Sequence, residues 1–315
     1  NNICRSLLKS GYHVKALIHT NSNSLEGLEV EKIRGNILDS STLSKLVEGC
    51  QIVIHAAGKI SVNGDPDGSL FQVNVEGTKN VIDACLETGV DRLIYISSIN
   101  ALQQSAESDI DENSSFVEPT QGFLHDLAKS AAEKEVFKGF CQGLDCVILN
   151  PTAVIGPYDF QPSLMGKALL ALYSRKIPAL VAGGFDFVDV RDVADAIVQS
   201  IHQGRSGERY LLSGIWKTVR EVSLLVQEIT GAAAPKFTSP PWLARMSVPL
   251  VKAYSLLTSS PMLYTRETLD VLLRCSRNIS SSKAKRELSF FPRPFATTLR
   301  ETFKWFEEAS FLCNL

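Results

Sequence analysis

Residues 51–58 read Gln51-Ile52-Val53-Ile54-His55-Ala56-Ala57-Gly58. A short unbroken apolar run closes on a turn of small residues. Such a run suits a strand buried on both faces, because a sheet covered on both sides leaves no alternate position for polar groups. The same pattern recurs on either side. Toward the N-terminus, Asn1–Ser10 predicts a helix ended by Gly11, Tyr12–Ile18 and Val30–Arg34 predict strands, and Ser41–Glu48 predicts a helix. Toward the C-terminus come a long helix at about Leu70–Gly89, a strand at Arg92–Ser97 (RLIYIS), a helix near Gly122–Gln142 and a strand at Asp145–Asn150 (DCVILN). Strands separated by helices predict a parallel sheet covered on both faces, an α/β fold.

After Pro151 the alternation loosens. Pro157, Pro178, Pro235, Pro240, Pro241, Pro249, Pro261, Pro292 and Pro294 interrupt it. The region reads as a smaller, mostly helical lobe. Asp192–Gln203 and the strand-like Arg209–Leu212 are expected to return to the main sheet, with Asp192 capping the helix it opens.

Composition narrows the function. With 315 residues, 44% of them hydrophobic and 21% charged, the chain can bury a large core. A formal net charge of −2 argues against general nucleic-acid binding. Cys4, Cys50, Cys85, Cys141, Cys146, Cys275 and Cys313 form no CxxC pair, and the five histidines show no HxxxH or HxH spacing, so no metal site is expected. The segment Pro241–Thr258 is apolar but carries Arg245 and Lys252, which predicts an amphipathic helix and not a membrane span. These features favour a cytoplasmic protein that acts on a small molecule, with no nucleic acid and no integral membrane segment.

His55-Ala56-Ala57-Gly58 ends a strand at the carboxyl edge of the sheet, where open α/β sheets bind ligands. Small side chains there either let a ligand approach the backbone or simply serve a tight turn. Asn74 and Gly77 lie one helical turn apart; Gly77 suits close packing, and the Asn74 amide suits fixing neighbouring backbone. Ser97 and Ser98 emerge at the same edge, as a strand-ending turn or as ligand contacts.

Six segments, in order, resemble the extended short-chain dehydrogenases: VIHAAG (Val53–Gly58), VNVEGTKNVIDAC (Val73–Cys85), LIYISSINAL (Leu93–Leu102), LNPTAVIGP (Leu149–Pro157), FVDVRDVADAI (Phe187–Ile197) and SSKAKRELSFFPRP (Ser281–Pro294). That family includes sugar-nucleotide epimerases, dihydroflavonol reductases and 3β-hydroxysteroid dehydrogenases. The resemblance implies a Rossmann-like, doubly wound parallel sheet at residues 1–155, to which 186–212 returns, and a substrate lobe at 156–315. It also implies that the family's first strand and Gly-x-x-Gly-x-x-Gly loop, which precede a helix like Asn1–Ser10, are missing from this chain.

The resemblance assigns roles by position. Ser98 holds the reacting oxygen. The family's Tyr-x-x-x-Lys falls on His125 and Lys129, so His125 stands where a tyrosine is usual. Four-residue spacing puts both on one helix face. Lys129 binds the nicotinamide ribose and lowers the pKa of its neighbour; an imidazole beside it should be mostly neutral. Ala56, Ala57, Gly58, Asn150 and Thr152 join Lys129 in cofactor binding. The segment His19–Ser24 follows the strand at Tyr12–Ile18 and holds no acid, so His19 and Thr20 favour NADP(H) over NAD(H). Asn36 and Ile37 stand where the family lines the adenine.

The implied activity is NAD(P)-dependent oxidoreduction of a hydroxyl or carbonyl on an apolar substrate, which the apolar stretch Pro240–Arg274 suits. A non-catalytic NAD(P)-binding or scaffold protein, and a nucleotide-sugar epimerase or dehydratase, are the alternatives. A homodimer is compatible with all three.

Overall fold

The computed structural model describes residues 1–61, 64–120, 122–246, 248 and 266–312. In chain order come helix α1 (Asn2–Lys9), strands β1 (Val14–Ile18) and β2 (Val30–Arg34), helix α2 (Ser40–Val47) and strand β3 (Ile52–His55). A helical run starts at α3 (Ser69–Phe71), passes through a π-helical turn at Gln72–Glu76 and continues as α4 (Gly77–Thr88). Strand β4 (Arg92–Ile96), the short β5 (Asp109–Ile110), helix α5 (Leu124–Cys141) and strand β6 (Cys146–Pro151) follow. The second half holds β7 (Ala153–Ile155), α6 (Leu164–Tyr173), β8 (Leu180–Val181), β9 (Gly184–Asp189), α7 (Val190–Gln203), β10 (Glu208–Leu212), β11 (Ile215–Thr218), α8 (Val219–Thr230), β12 (Thr238–Ser239), α9 (Arg266–Arg274), β13 (Asn278–Ile279), α10 (Ser282–Glu287) and α11 (Phe295–Glu308).

The main sheet is parallel, in the order β10-β6-β4-β3. Strand β4 is flanked on both sides, and Leu93, Ile94 and Tyr95 are buried in it. Helices cover both faces. On one, α4 and α5 supply Val81, Ile82, Cys85, Ala132 and Val136 against Leu93, Tyr95 and Ile148. On the other, α1, α7 and α10 supply Leu7, Val193, Ile197, Ile201 and Ala284 against Ile94, Val147 and Leu149. Each fully buried aliphatic side chain contributes roughly 1.5–3 kcal/mol of transfer free energy, so these two clusters dominate the stability of the sheet.

Strands β1 and β2 pair with each other in parallel as a separate two-stranded sheet. They join the same core: Leu17 packs with the first cluster and Val14 with the second. A third sheet, in the order β11-β9-β7, belongs to the C-terminal half and packs with α6, α8 and α11.

Three sequence expectations change. Strand β10 does return to the main sheet beside β6, and α7 packs beneath it, but β9 pairs with β7 and β11 instead. The chain also crosses back later than expected, because Ala284, Leu288 and Phe290 join the second core cluster. Helix α7 begins earlier than expected and is capped by Asp189, whose Oδ1 accepts from Arg191 N at 2.8 Å. Asp192 sits inside the first turn, where its carboxylate accepts from Arg293 N at 2.8 Å and Arg293 Nε at 2.7 Å. The amphipathic helix expected at Pro241–Thr258 is helical at residues 241–246 and 248; its remainder lies outside the described residues. Among the described residues no helix is long and apolar enough to cross a membrane, and no group of three or more metal-ligating side chains forms.

Candidate functional site

The carboxyl ends of β3, β4 and β6 meet the first turns of α5. At the end of β3 the chain turns through Ala56, Ala57 and Gly58, all exposed. Beneath Gly58 lies Lys129, only 9% exposed. A Cβ placed on Gly58 would stand 2.8 Å from Asn74 Oδ1 and 3.4 Å from Lys129 Nζ. Glycine therefore leaves a cradle over the ammonium that any side chain would fill. Asn74, from the π-helical turn, holds the chain just beyond: its Nδ2 donates to Lys59 O at 2.9 Å, and its Oδ1 accepts from Lys59 N at 3.2 Å. The expected structural role of Asn74 is met. Gly77 likewise permits close packing, since a Cβ there would meet Ile37 Cδ1 at 2.5 Å.

Lys129 Nζ donates to Ile96 O at 3.3 Å, at the end of β4. Burial brings its ammonium down to about 8, while the Glu133 carboxylate works in the opposite direction. Glu133 lies one helical turn further along α5 and is fully buried. It is pinned from three sides: Arg209 Nε donates at 2.6 Å, Asn150 Nδ2 donates at 2.8 Å, and Ser97 Oγ donates. The network ties β4, α5, β6 and β10 together and fixes the helix face that carries Lys129.

This pinning separates the two serines. Ser97 is buried and committed to Glu133. Ser98 is half-buried and caps a short 3₁₀ turn, its Oγ accepting from Asn100 N at 3.2 Å. Asn150 Nδ2 also donates to Ser98 O at 3.0 Å.

His125 is half-buried on the first turn of α5. Burial pushes its imidazole down to about 4, with Lys129 as the second cause, while the Lys59 backbone acts upward. The expectation of a neutral ring holds, but loss of water does more than the nearby ammonium. Its Nδ1 is buried with no hydrogen-bond partner among the described residues. His55, at the end of β3, is lower still, at about 3, from burial and then Lys129. Both imidazoles are therefore held neutral, by burial first and by the Lys129 charge second.

The other expected site residues spread out. His19 and Thr20 are exposed beyond β1. Asn36 Oδ1 accepts from Leu38 N at 3.0 Å, and the Ile37 side chain is buried against Gly77. Asn150 is fully buried, and Thr152, 7% exposed, bonds through Oγ1 to Leu212 O at 3.4 Å. Sequence reading missed Glu133 and Arg209. The spacing of Lys129 and Glu133, four apart on a helix, was a usable signal; Arg209 lies 76 residues beyond Glu133 and left none.

The sequence profile described as the NAD dependent epimerase/dehydratase family matches residues 1–213. The chain belongs to that family. Over 313 residues this family member is 30% identical to sterol demethylase protein B of Methylococcus capsulatus, spanning 98% of this chain and 94% of that protein. A Synechocystis protein with the provisional name dihydroflavonol 4-reductase is 32% identical over 250 residues, 77% of this chain and 72% of that one. Among solved structures, gox2253 superposes with a TM-score of 0.84 at 28% identity, covering 98% of this chain and 94% of that one. The matched region contains β3, β4, α5, β6 and β10, and with them every residue of the Lys129 network.

The residues at the sheet edge fit the nicotinamide end of such a cofactor. Gly58 leaves room, Lys129 is a cation fixed beneath it, and Nδ1 of His125 is a buried polar atom with no hydrogen-bond partner among the described residues.

Proposed function

We propose that this chain is an NAD(P)-dependent oxidoreductase that interconverts a carbonyl and a hydroxyl on an apolar, sterol-like substrate. One observation carries the reading. Lys129 is held at the carboxyl end of β4 beneath the Gly58 cradle, with Ser98 two residues past its anchor at Ile96. The cofactor supplies or accepts the hydride when bound. When bound, its ribose side would be held by Lys129 and the open turn Ala56-Ala57-Gly58, and its adenine side by His19, Thr20, Asn36 and Ile37, with Asn150 and Thr152 contributing to the cofactor site. Ser98 Oγ holds the substrate oxygen.

His125 handles the proton. An imidazole near 4 is neutral at pH 7, so it has one N–H and one lone pair. It cannot act as an imidazolium acid. It can pass a proton, giving one to the oxygen at one nitrogen while taking one at the other, and Lys129, near 8, is the neighbouring charged group with a proton to give at pH 7. The sterol-like substrate is supported by the extent of the match to sterol demethylase protein B. The apolar stretch Pro240–Arg274 agrees, though residues 247 and 249–265 lie outside the described structure. NADP(H) is the favoured cofactor, on the acid-free turn after β1.

The test is reduction of a 3-oxosterol followed by the absorbance of NADPH. Ser98→Ala and Lys129→Ala should each lower turnover by about 10²-fold or more, the scale of a lost proton-transfer or oxygen-holding group. Full activity in both variants would reject the assigned roles. Cofactor binding without turnover of any carbonyl would favour the alternative that His125 motivates, a non-catalytic binder.

A further inference from the structure

Helix α9 ends on Arg274, and that side chain reaches the first turn of α5. Its guanidinium carbon stands 4.2 Å from the centre of the Phe123 ring, and Nη2 lies 3.6 Å from Asp126 Oδ2. Phe123 is the N-cap of α5 and Asp126 its third residue; the Asp126 carboxylate also accepts from Phe123 N at 3.4 Å. His125 sits between the two. Asp126 is only 8% exposed, while the Arg274 side chain is 35% exposed, so water screens this contact from the Arg274 side alone. A guanidinium suits the task, since it is flat enough to stack on a ring and charged enough to hold a carboxylate in the same plane. The end of α9 is itself fastened. Ser276 N donates to Gln104 Oε1 at 3.4 Å, and β13 pairs with β5. Arg274 also lines a narrow cleft with Asn100, Leu102, Val117, Val271 and Cys275, beside the loop that follows Ser98.

We propose that Arg274 is a positioning residue for His125: the C-terminal lobe sets the place of the imidazole by gripping Phe123 and Asp126 on either side of it. The inference rests on the reading of His125 as the proton-handling group. It makes the lobe that would seat the substrate responsible for the geometry of the proton path.

The test uses the full chain and follows the imidazole resonances of His125 and His55 by NMR between about pH 8 and about pH 5, a range that spans an ordinary histidine. No substrate is required. In the unsubstituted chain His125 stays neutral throughout. In Arg274→Ala the turn opens to water and the burial that lowers the group is relieved, so His125 begins to titrate toward about 6.5. His55, held by Thr78 at the end of β3, should not move. Asp126→Asn, which removes the charge with little change of shape, should act in the same direction, and Arg274→Lys should fall between. An unmoved His125 in both Arg274→Ala and Asp126→Asn overturns the proposal. So does an equal movement of His55, which would mean general loosening. In turnover of a 3-oxosterol, Arg274→Ala should lower kcat at least tenfold, yet add nothing in a His125→Ala background; additive losses would also overturn it. Because the NMR result needs no turnover, failure of the oxidoreductase reading and failure of this one are told apart.

Discussion

The Lys129 ammonium donates to the Ile96 carbonyl across 3.3 Å, which fixes a charge carried by α5 to the carboxyl end of β4. The residues assigned to the nicotinamide end of the site gather around that bond. The cradle at Gly58 lies over it, Glu133 stands behind it, and Ser98 follows it in the chain.

The cradle gives the first prediction. Gly58→Ala places a methyl 2.8 Å from Asn74 Oδ1 and 3.4 Å from Lys129 Nζ. The first contact forces a shift, and the second fills the space above the ammonium. Affinity for reduced cofactor should fall by about tenfold or more, or ~1.4 kcal/mol, while the chain stays folded because Gly58 itself is exposed. Fluorescence titration with NADPH measures it. Unchanged affinity would remove Gly58 from the cofactor site.

Lys129 gives a prediction with a definite sign. Its folded value is lowered to about 8, below the roughly 10.4 of an unfolded lysine. Below about pH 8 both states hold the proton and the cost of burying it is fully present. Between about 8 and 10.4 the unfolded chain holds more protons, so stability rises with pH. Lys129→Met removes the charge and keeps the length. It should raise stability at pH 7 by up to about 3 kcal/mol while abolishing turnover, and the gain should shrink above about pH 9. Urea denaturation at both pH values tests this; a destabilised variant at pH 7 would contradict it.

Glu133 should behave in the opposite way. Glu133→Gln leaves the Arg209 guanidinium buried without its carboxylate. The loss should be about 3–5 kcal/mol, as for a buried pair broken on one side. Because Glu133 supports the charge on Lys129, the upper pH limit of activity should also move down from about 8. A stability loss with an unmoved pH limit would separate the network from the lysine.

Much of this was legible in the sequence, and the reasons differ by element. Strands β3, β4 and β6 could be read because strands buried on both faces are written as contiguous apolar runs. Lys129, His125 and Ser98 were singled out because the resemblance lays the family's Tyr-x-x-x-Lys and serine positions on them. What failed depended on distant partners. Asp189 and Asp192 are both acids at the start of α7, and only the arrival of Arg293, 101 residues beyond Asp192, decides which one caps. Strand β9 has the composition of a main-sheet strand, yet it pairs with β7 and β11 because its neighbours after the chain leaves β6 lie in the other lobe. The grip of Arg274 on the start of α5 spans the two halves of the chain, and no local pattern reports it.

Cofactor choice is a separate prediction. His19 and Thr20 are exposed beyond β1, and the turn from His19 to Ser24 holds no carboxylate to bind a ribose 2′-hydroxyl. NADPH should bind more tightly than NADH by about tenfold. Thr20→Asp should reverse the order by repelling the 2′-phosphate. Paired titrations of both cofactors would show it, and tighter NADH binding by the unsubstituted chain would refute it.

The most direct measurement is the turnover of His125→Tyr. In the proposed site Lys129 stands where it can lower the pKa of a phenol, and His125, held near 4, passes protons weakly from the same place. With a 3-oxosterol and NADPH, His125→Tyr should raise kcat, with unchanged affinity for NADPH and a rate that falls as pH rises through about 8, where Lys129 loses its charge. A lower kcat in His125→Tyr, or a rate in the unsubstituted chain that tracks an ordinary histidine near 6.5, would contradict it.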